Sequence, residues 1–327
     1  MTIERFTFST REHPDGQGFN AYRSLYALGA DVQRRGSGFH AEVTALRLHR
    51  LILFKRELSQ VTHVRAAPRV SETGFSHFTL TLVCSGVLEH LGADGGLTVI
   101  GPGQVLVLDM RRPTHLSAPQ AELITVSAAR DVIEAAAGSA NGLHGRILGP
   151  EAGVLGDLLS SLIRHAPTLS ADSLPGVTRL FVEALSLALR DRAGVLALDG
   201  RREAFQRREV VEAHIDAHLG DRRLNSEAVA QGAGLSRATL YRLLEPYGGV
   251  GAFILSRRLA RARMAADASP EPINPSAFGF PNPAVMQARF EQMFGLPLAD
   301  YQAQAHDPAR RVSALRQRWA SWMVEVR

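Results

Sequence analysis

Arg237, Ala238, Tyr241 and Arg242 are spaced so that a helix would gather them on one face, within about two turns of Ser236, a residue suited to cap that helix. The face would carry two guanidinium forks, a phenol and a methyl group. Its chemistry is recognition: hydrogen bonds to phosphates and base edges, with Arg242 as the foremost base or phosphate contact. A second set further along, Ala284, Gln287 and Arg289, is poorer. There only Gln287 offers a paired donor and acceptor to adenine, and Arg289 is placed to reach a phosphate. In the first half of the chain, Phe75, His77 and Thr79 alternate on one strand face, with His90 and His115 nearby. These five would line a mostly apolar pocket for a small aromatic or aliphatic effector, with Phe78, Leu80 and Leu82 facing the other way.

No nucleophile, base and orienting group stand together at a recognisable spacing, so no catalytic residue is assigned and no cofactor is expected. A metal-dependent barrel enzyme needs closely spaced His and carboxylate ligands, and no HxH occurs. His214 and His218 are four apart on a helix but lack the glutamate of an HExxH motif, so no metal site is assigned. Cys84, the single cysteine, excludes an intramolecular disulfide and reads as a small buried hydrophobe.

The elements that position the first set run from Leu224 to Arg263. Ser226 is expected to cap a first helix with Val229 and Ala230 inward, Gly234 to make the turn, and Ser236 to cap a second helix held by Leu235 and Leu240. This pattern resembles the DNA-binding region of the AraC/XylS family. Ala230, Gly234, Ser236, Leu240 and Arg242 sit at the family spacing, and residues 247–263 resemble its connecting helix. Gly279, Phe280, Phe290, Phe294, Gly295 and Pro297 then stand where the second helix-turn-helix has its GF, F, FG and P. The resemblance implies promoter DNA as a partner and a tandem pair of reading units over residues 205–305.

The second unit departs from the family. Pro270, Pro272 and Pro275 crowd its first helix, which is expected to shrink to a turn or start late. The usual aromatic is Met286, and the place of the groove-facing arginine is Ala288, with Arg289 about 100° away round the helix. Pro283, Ala284 and Gln287 are expected to stay exposed.

Charge supports the division. Residues 1–200 hold 19 basic and 19 acidic side chains, whereas residues 201–327 hold 18 arginines against 13 acidic ones, the whole formal excess of +5. A polyanion would bind there.

Strand-like runs fill residues 41–54, 61–70, 77–91, 96–110 and 121–129, with turns at Gly92 to Gly96 and at Pro102-Gly103. Residues 1–40 read as an arm or entry helix. The order suggests a small barrel or sandwich. FTLTLVCSG, the GPG turn from Gly101 to Gly103 and LDMRRP from Leu108 to Pro113 resemble the cupin-like sensor domain of one branch of the same family, which implies a small-molecule effector. Val154, Leu155, Leu158, Leu159 and Leu162 form one helical face, and Leu180, Phe181, Ala184, Leu185, Ala188 and Leu189 another. This pair resembles the family's linker and dimerisation region, or else covers the barrel. Residues 193–208 would be a hinge. After Tyr301, Val312, Leu315, Trp319, Trp322, Met323 and Val326 share a face, which would dock on the DNA-binding region, on a second copy or on a membrane surface.

The expected fold is α+β: a cupin-like β-barrel sensor domain over residues 1–145, a helical linker over 146–200, an all-α tandem helix-turn-helix domain over 205–305 and an amphipathic tail over 306–327. The N-terminus is charged and no stretch approaches a membrane span, which places the chain in the cytoplasm. The reading is a non-enzymatic transcription regulator that senses a small molecule, acting as a homodimer, with RNA polymerase as a further candidate partner and no membrane. A metal-dependent cupin enzyme and a constitutive DNA-binding protein with a filled barrel are the rivals.

Overall fold

A computed structural model of the chain describes residues 3–14, 16–189 and 195–326. It divides into two compact units, one up to Arg201 and one from Arg202 to Glu325.

The first unit carries β1 (Arg5–Ser9), α1 (Gly18–Tyr26), β2 (Asp31–Arg34), β3 (His40–Leu48), β4 (Leu51–Arg65), α2 (Ala67–Thr73), β5 (Phe78–Leu91), β6 (Leu97–Ile100), β7 (Val105–Asp109), β8 (Thr114–Ala128), α3 (Arg130–Ala137), β9 (Arg146–Leu148), α4 (Gly153–His165) and α5 (Leu174–Leu189). The strands form one antiparallel sheet in the order β1-β3-β4-β8-β5-β7-β9, with β2 on β4 and β6 on β5. β4, β5 and β8 are long enough for their two halves to pair in different parts of the sheet, and they curl it closed. Gly86, at φ 72°, sits at the bend of β5, where a Cβ would lie 2.0 Å from the Gln120 carbonyl oxygen. Only glycine fits there.

Alternation sets the two faces. Leu82 points outward against Gly156 of α4, and on the same face Lys55 pairs with Glu122 at 2.9 Å. The opposite face turns inward and carries Phe8, Val43, Phe54, Leu123 and Thr81.

Several expectations change. Residues 41–54 are two strands, because His49 adopts φ 57° and closes a tight turn that no Gly or Pro announces. Residues 61–65 complete β4, and the remainder of that run is α2. Residues 1–40 hold two strands as well as a helix. On α4 and α5 most of the anticipated apolar positions are buried, but Val154 and Leu180 are 57% and 59% exposed. The hinge stretch 193–208 is helical from Val195, and residues 193–194 lie outside the described residues.

The second unit is built from α6 (Val195–Ala217), whose first turns belong to the preceding unit, α7 (Ser226–Gly232), α8 (Arg237–Leu244), α9 (Gly249–Ala268), α10 (Pro283–Phe294), α11 (Leu298–His306) and α12 (Arg311–Glu325). Its apolar residues separate into two cores. Val211, Ile215, Val229, Leu240, Leu244 and Phe253 belong to the first, and Leu259, Phe280, Met286, Phe290 and Tyr301 to the second. α9 contributes to both. Arg258 of α9 donates to the carbonyls of Leu219 and Asp221 at 3.0 and 2.6 Å, and Gly279, at φ 72°, lies so close that a Cβ would be 2.6 Å from both the Leu219 oxygen and the Arg258 Cζ. Gly279→Ala is therefore expected to cost about 2 kcal/mol through backbone strain and the clash with a main-chain oxygen. Chemical denaturation of the variant checks this, and an unchanged midpoint would refute it.

The tail is α12, and it packs on its own helical unit. Glu325 pairs with Arg263 of α9, Arg318 pairs with Asp267, and Gln317 donates to the Phe294 carbonyl. Leu315, Trp319, Trp322 and Met323 are buried.

Candidate functional site

In the first helical pair, Asn225 caps α7, its Oδ1 accepting from the amides of Glu227 and Ala228 at 3.0 and 3.1 Å. The expected cap, Ser226, is instead the first helical residue. Its hydroxyl accepts a hydrogen bond from the Tyr241 phenol at 3.2 Å, which ties the two helices together. Gly234 makes the turn at φ 65°, and Ser236 caps α8 by accepting from the Thr239 amide at 3.2 Å. Leu240 and Leu244 are buried one turn apart, so the opposite side of α8 faces solvent.

Arg237, Ala238, Tyr241 and Arg242 all lie on that exposed side. Hydrogen bonding with Ser226 first, and then with Arg237, lowers the Tyr241 pKa. Arg242 makes no ion pair or hydrogen bond within the described residues, which leaves its five donors for a partner. Arg222 and Arg223, just before α7, are exposed in the same way and were not singled out from the sequence. Their position beside a helix N-terminus suits phosphate contact. A pair of adjacent arginines next to the Asn225 cap was the available signal.

The second pair is a reduced copy. The first helix of the expected motif is a four-residue 3-10 turn, Pro275–Phe278, in which Asn274 Oδ1 accepts from the Ser276 amide at 3.1 Å. α10 is capped by Asn282, with Pro283 in the first turn and Gly295 closing the end at φ 80°. Counting from the caps, Met286 and Phe290 occupy the buried places of Leu240 and Leu244, and Pro283, Ala284, Gln287 and Ala288 occupy those of Arg237, Ala238, Tyr241 and Arg242. No cation remains on that face. Ala284 is exposed, Gln287 is half-buried where full exposure was expected, and Arg289 lies to the side, bonded to Gln292 at 3.0 Å.

The five anticipated effector residues do not form one lining. Phe75 and His77 precede β5 in the connection from α2, their rings 5.5 Å apart, and Arg65 stacks over Phe75. Thr79 is on the inward face of β5, donating to the Met110 sulfur. His90 pairs with Leu116 and its ring lies 6.3 Å from that of His144, whereas His115 is the residue before Leu116 in β8 and points to the opposite face. Burial first, and Arg65 second, lower the His77 pKa to about 3.

The interior holds a different polar set. The Tyr22 phenol of α1 and His63 Nε2 are 2.9 Å apart. Burial, with the charge of Arg56 adding to it, lowers the His63 pKa to about 3. Arg56 donates to the Thr125 hydroxyl, which is 3.0 Å from that of Thr81. None of these was identified from the sequence, because Arg56 lies in the run LFKREL, where either neighbouring charge could be the inward one.

Among the described residues, His40, Glu42 and Glu57 form the single group with metal-ligand spacing. They lie on the outward face, where Arg11 and Lys55 accompany the two carboxylates. His214 and His218 stack at 4.3 Å, with the His214 ring filling the space over Gly232.

Residues 21–190 match the family described as the AraC-binding-like domain. Among solved structures, the AraC-like transcriptional activator CuxR is similar at 21% identity, over 79% of this chain and 95% of that one, with a TM-score of 0.54. That similarity shows a shared fold. Unsaturated fatty acid bound ToxT from Vibrio cholerae strain SCE256 has 12% identity over 70% of this chain and 87% of that one, with a TM-score of 0.30. Oxalate decarboxylase from Bacillus subtilis has 12% identity over 54% and 40%, with a TM-score of 0.22. These two are too remote to inform function. No curated protein matches the chain.

Proposed function

The chain belongs to the AraC-binding-like domain family, and from that premise we propose that it is a transcription regulator whose barrel senses a small molecule and whose helical unit binds promoter DNA. The observation that carries this reading is Arg242, exposed and without a partner among the described residues, on a helix capped by Ser236 and braced by a helix-turn-helix core. Such a helix presents its N-terminal half to a major groove. Residues 1–145, 146–200, 205–305 and 306–327 would then serve as sensor, linker, reader and brace. Leu180 and Leu187, both on α5 and 59% and 47% exposed, support a homodimer through that helix. The regulator would act in the cytoplasm, with RNA polymerase as its partner if it activates. No helix among the described residues is long and apolar enough to cross a membrane. The protein is read as a non-enzyme, and the one group with metal-ligand spacing among the described residues sits on the outward face of the sheet.

The two reading helices make this testable base by base. With Arg237, Tyr241 and Arg242 on one and no cation on the matching face of the other, one half of the operator should be strongly specified and the other held mainly through backbone contacts. Selection of binding sites from a random library gives the operator, and each base is then substituted in turn. Penalties of about 1–3 kcal/mol per position are expected in the half facing α8, and smaller ones in the half facing α10. Equal penalties in both halves would show that the second unit reads sequence. Arg242→Ala should remove discrimination at one position if it reads guanine, whereas a uniform loss with a shallower salt slope marks a phosphate contact. Failure to select any sequence would overturn the regulatory reading.

A further inference from the structure

We infer that the effector is a small organic carboxylate, anchored inside the barrel by Arg56; the inference rests on the sensor reading above and names the chemistry of its ligand.

Arg56 is on the inward face of β4, paired across the sheet with Val43 and Leu123, both buried. Its neighbour Lys55 points outward and pairs with Glu122. Among the described residues Arg56 has no ion pair, and none of the flanking inward positions on β1, β3, β4, β5, β7 or β8 is Asp or Glu. Its Nη2 donates to Thr125, but its Nε is buried with no hydrogen-bond partner. A guanidinium cannot shed its proton to escape this position, so the charge and the unmade bond persist until an acceptor arrives. Arg56 as a whole is half-buried although its strand partners Val43 and Leu123 are fully buried, so part of the side chain on this inward face keeps accessible surface.

The surroundings select the ligand. The His63 imidazole, with its pKa near 3, is neutral at physiological pH, so it adds no second charge. One fixed cation balances one negative charge, which favours a monocarboxylate over a phosphate dianion. Phe8, Phe54 and Tyr22 supply apolar and aromatic surface for the body of the molecule, and the Thr81 and Thr125 hydroxyls supply neutral polar contacts. This site replaces the Phe75, His77, Thr79, His90 and His115 lining as the anchor, while keeping an aromatic or aliphatic body.

The test is calorimetric titration of the full chain with benzoate, phenylacetate and hexanoate, with their primary amides, and with inorganic phosphate. Carboxylates are expected to bind at least tenfold more tightly than the matching amides. Arg56→Gln should weaken the carboxylates on the order of a hundredfold and leave the amides unchanged, and Arg56→Lys should recover part of the loss. Carboxylate affinity that is unchanged in Arg56→Gln overturns the proposal, as does phosphate binding more tightly than any carboxylate. Amides binding as well as carboxylates would also overturn it while leaving the sensor reading intact. No binding by any organic probe would remove both. If Arg56→Gln does not fold, Thr125→Val decides: it removes the hydroxyl that holds Nη2, and unchanged carboxylate preference in that variant overturns the assignment.

Discussion

Arg263→Leu is expected to destabilise the helical unit by about 3–5 kcal/mol, the usual consequence of removing one partner from a buried ionic network. Arg263 is fully buried on α9. Its Nε and Nη2 reach Glu325 of α12 at 2.5 and 3.2 Å, and its Nη1 reaches Asp267 at 2.5 Å. Asp267 also accepts from Arg318 and from the Tyr301 phenol. Leucine in place of Arg263 would leave Glu325, with only 5% of its side chain exposed, without this cation. The double variant Arg263→Leu, Glu325→Leu should recover much of the loss, because the whole pair is then exchanged for apolar volume. Both tryptophans of the chain lie on α12, so their fluorescence during denaturation reports this docking directly. Single variants within about 1 kcal/mol of the parent would show that the pair contributes little. This network docks the tail on the helical unit, beside the second helical pair, whose first helix has been reduced to a turn.

That reduction was legible in the sequence because proline acts locally. Pro275 fixes its own φ and removes a donor whatever surrounds it, and a turn resulted. The exposed face of α8 was equally plain, since Ser236 and Leu240 set the helix phase by themselves. The cap of α7 was misplaced by one residue because Asn225 and Ser226 are both good caps, and only the fold shows which side chain accepts the amide bonds.

The barrel was harder to read. Its alternation announces strands but not which face is inward, and the turn at His49 uses a residue that carries no turn signal. The expected lining of Phe75, His77 and Thr79, with His90 and His115 nearby, follows from an alternation that runs back to Phe75, whereas β5 begins at Phe78. The inward face of β4 is decided by the long-range pairing of Arg56 with Val43 and Leu123, which no local pattern displays. Val154 and Leu180 failed for a related reason: a helical stripe is wider than the surface it covers, and its edge residues stay in solvent.

The same interior should make the barrel sensitive to acid well above the carboxylate range. His77 is 2% exposed and His63 is held against Tyr22, and burial lowers both pKa values to about 3. An unfolded histidine titrates near 6.5. Above that pH both rings are neutral in either state, and stability is unaffected. Below it the unfolded chain takes up protons that the folded barrel refuses, so stability falls by about 1.4 kcal/mol per pH unit for each fully buried histidine until the folded value is reached. By pH 5 His77 should have cost about 2 kcal/mol, with His63, which keeps some surface, adding up to as much again. Asp109 works in the opposite range. Burial raises its pKa, but hydrogen bonds from Arg130 and Arg111 outweigh that and hold it below the usual carboxylate value, so its contribution is intact at pH 5. Denaturation followed by the strand signal in circular dichroism at pH 7, 6 and 5 measures the slope. Replacing both histidines with asparagine should flatten it, and a slope that survives the double variant would place the acid sensitivity elsewhere. A carboxylate bound at Arg56 should raise stability at every pH in this range by mass action. It should also make the slope shallower, because a bound anion offsets the Arg56 charge that, after burial, helps to hold the His63 pKa down.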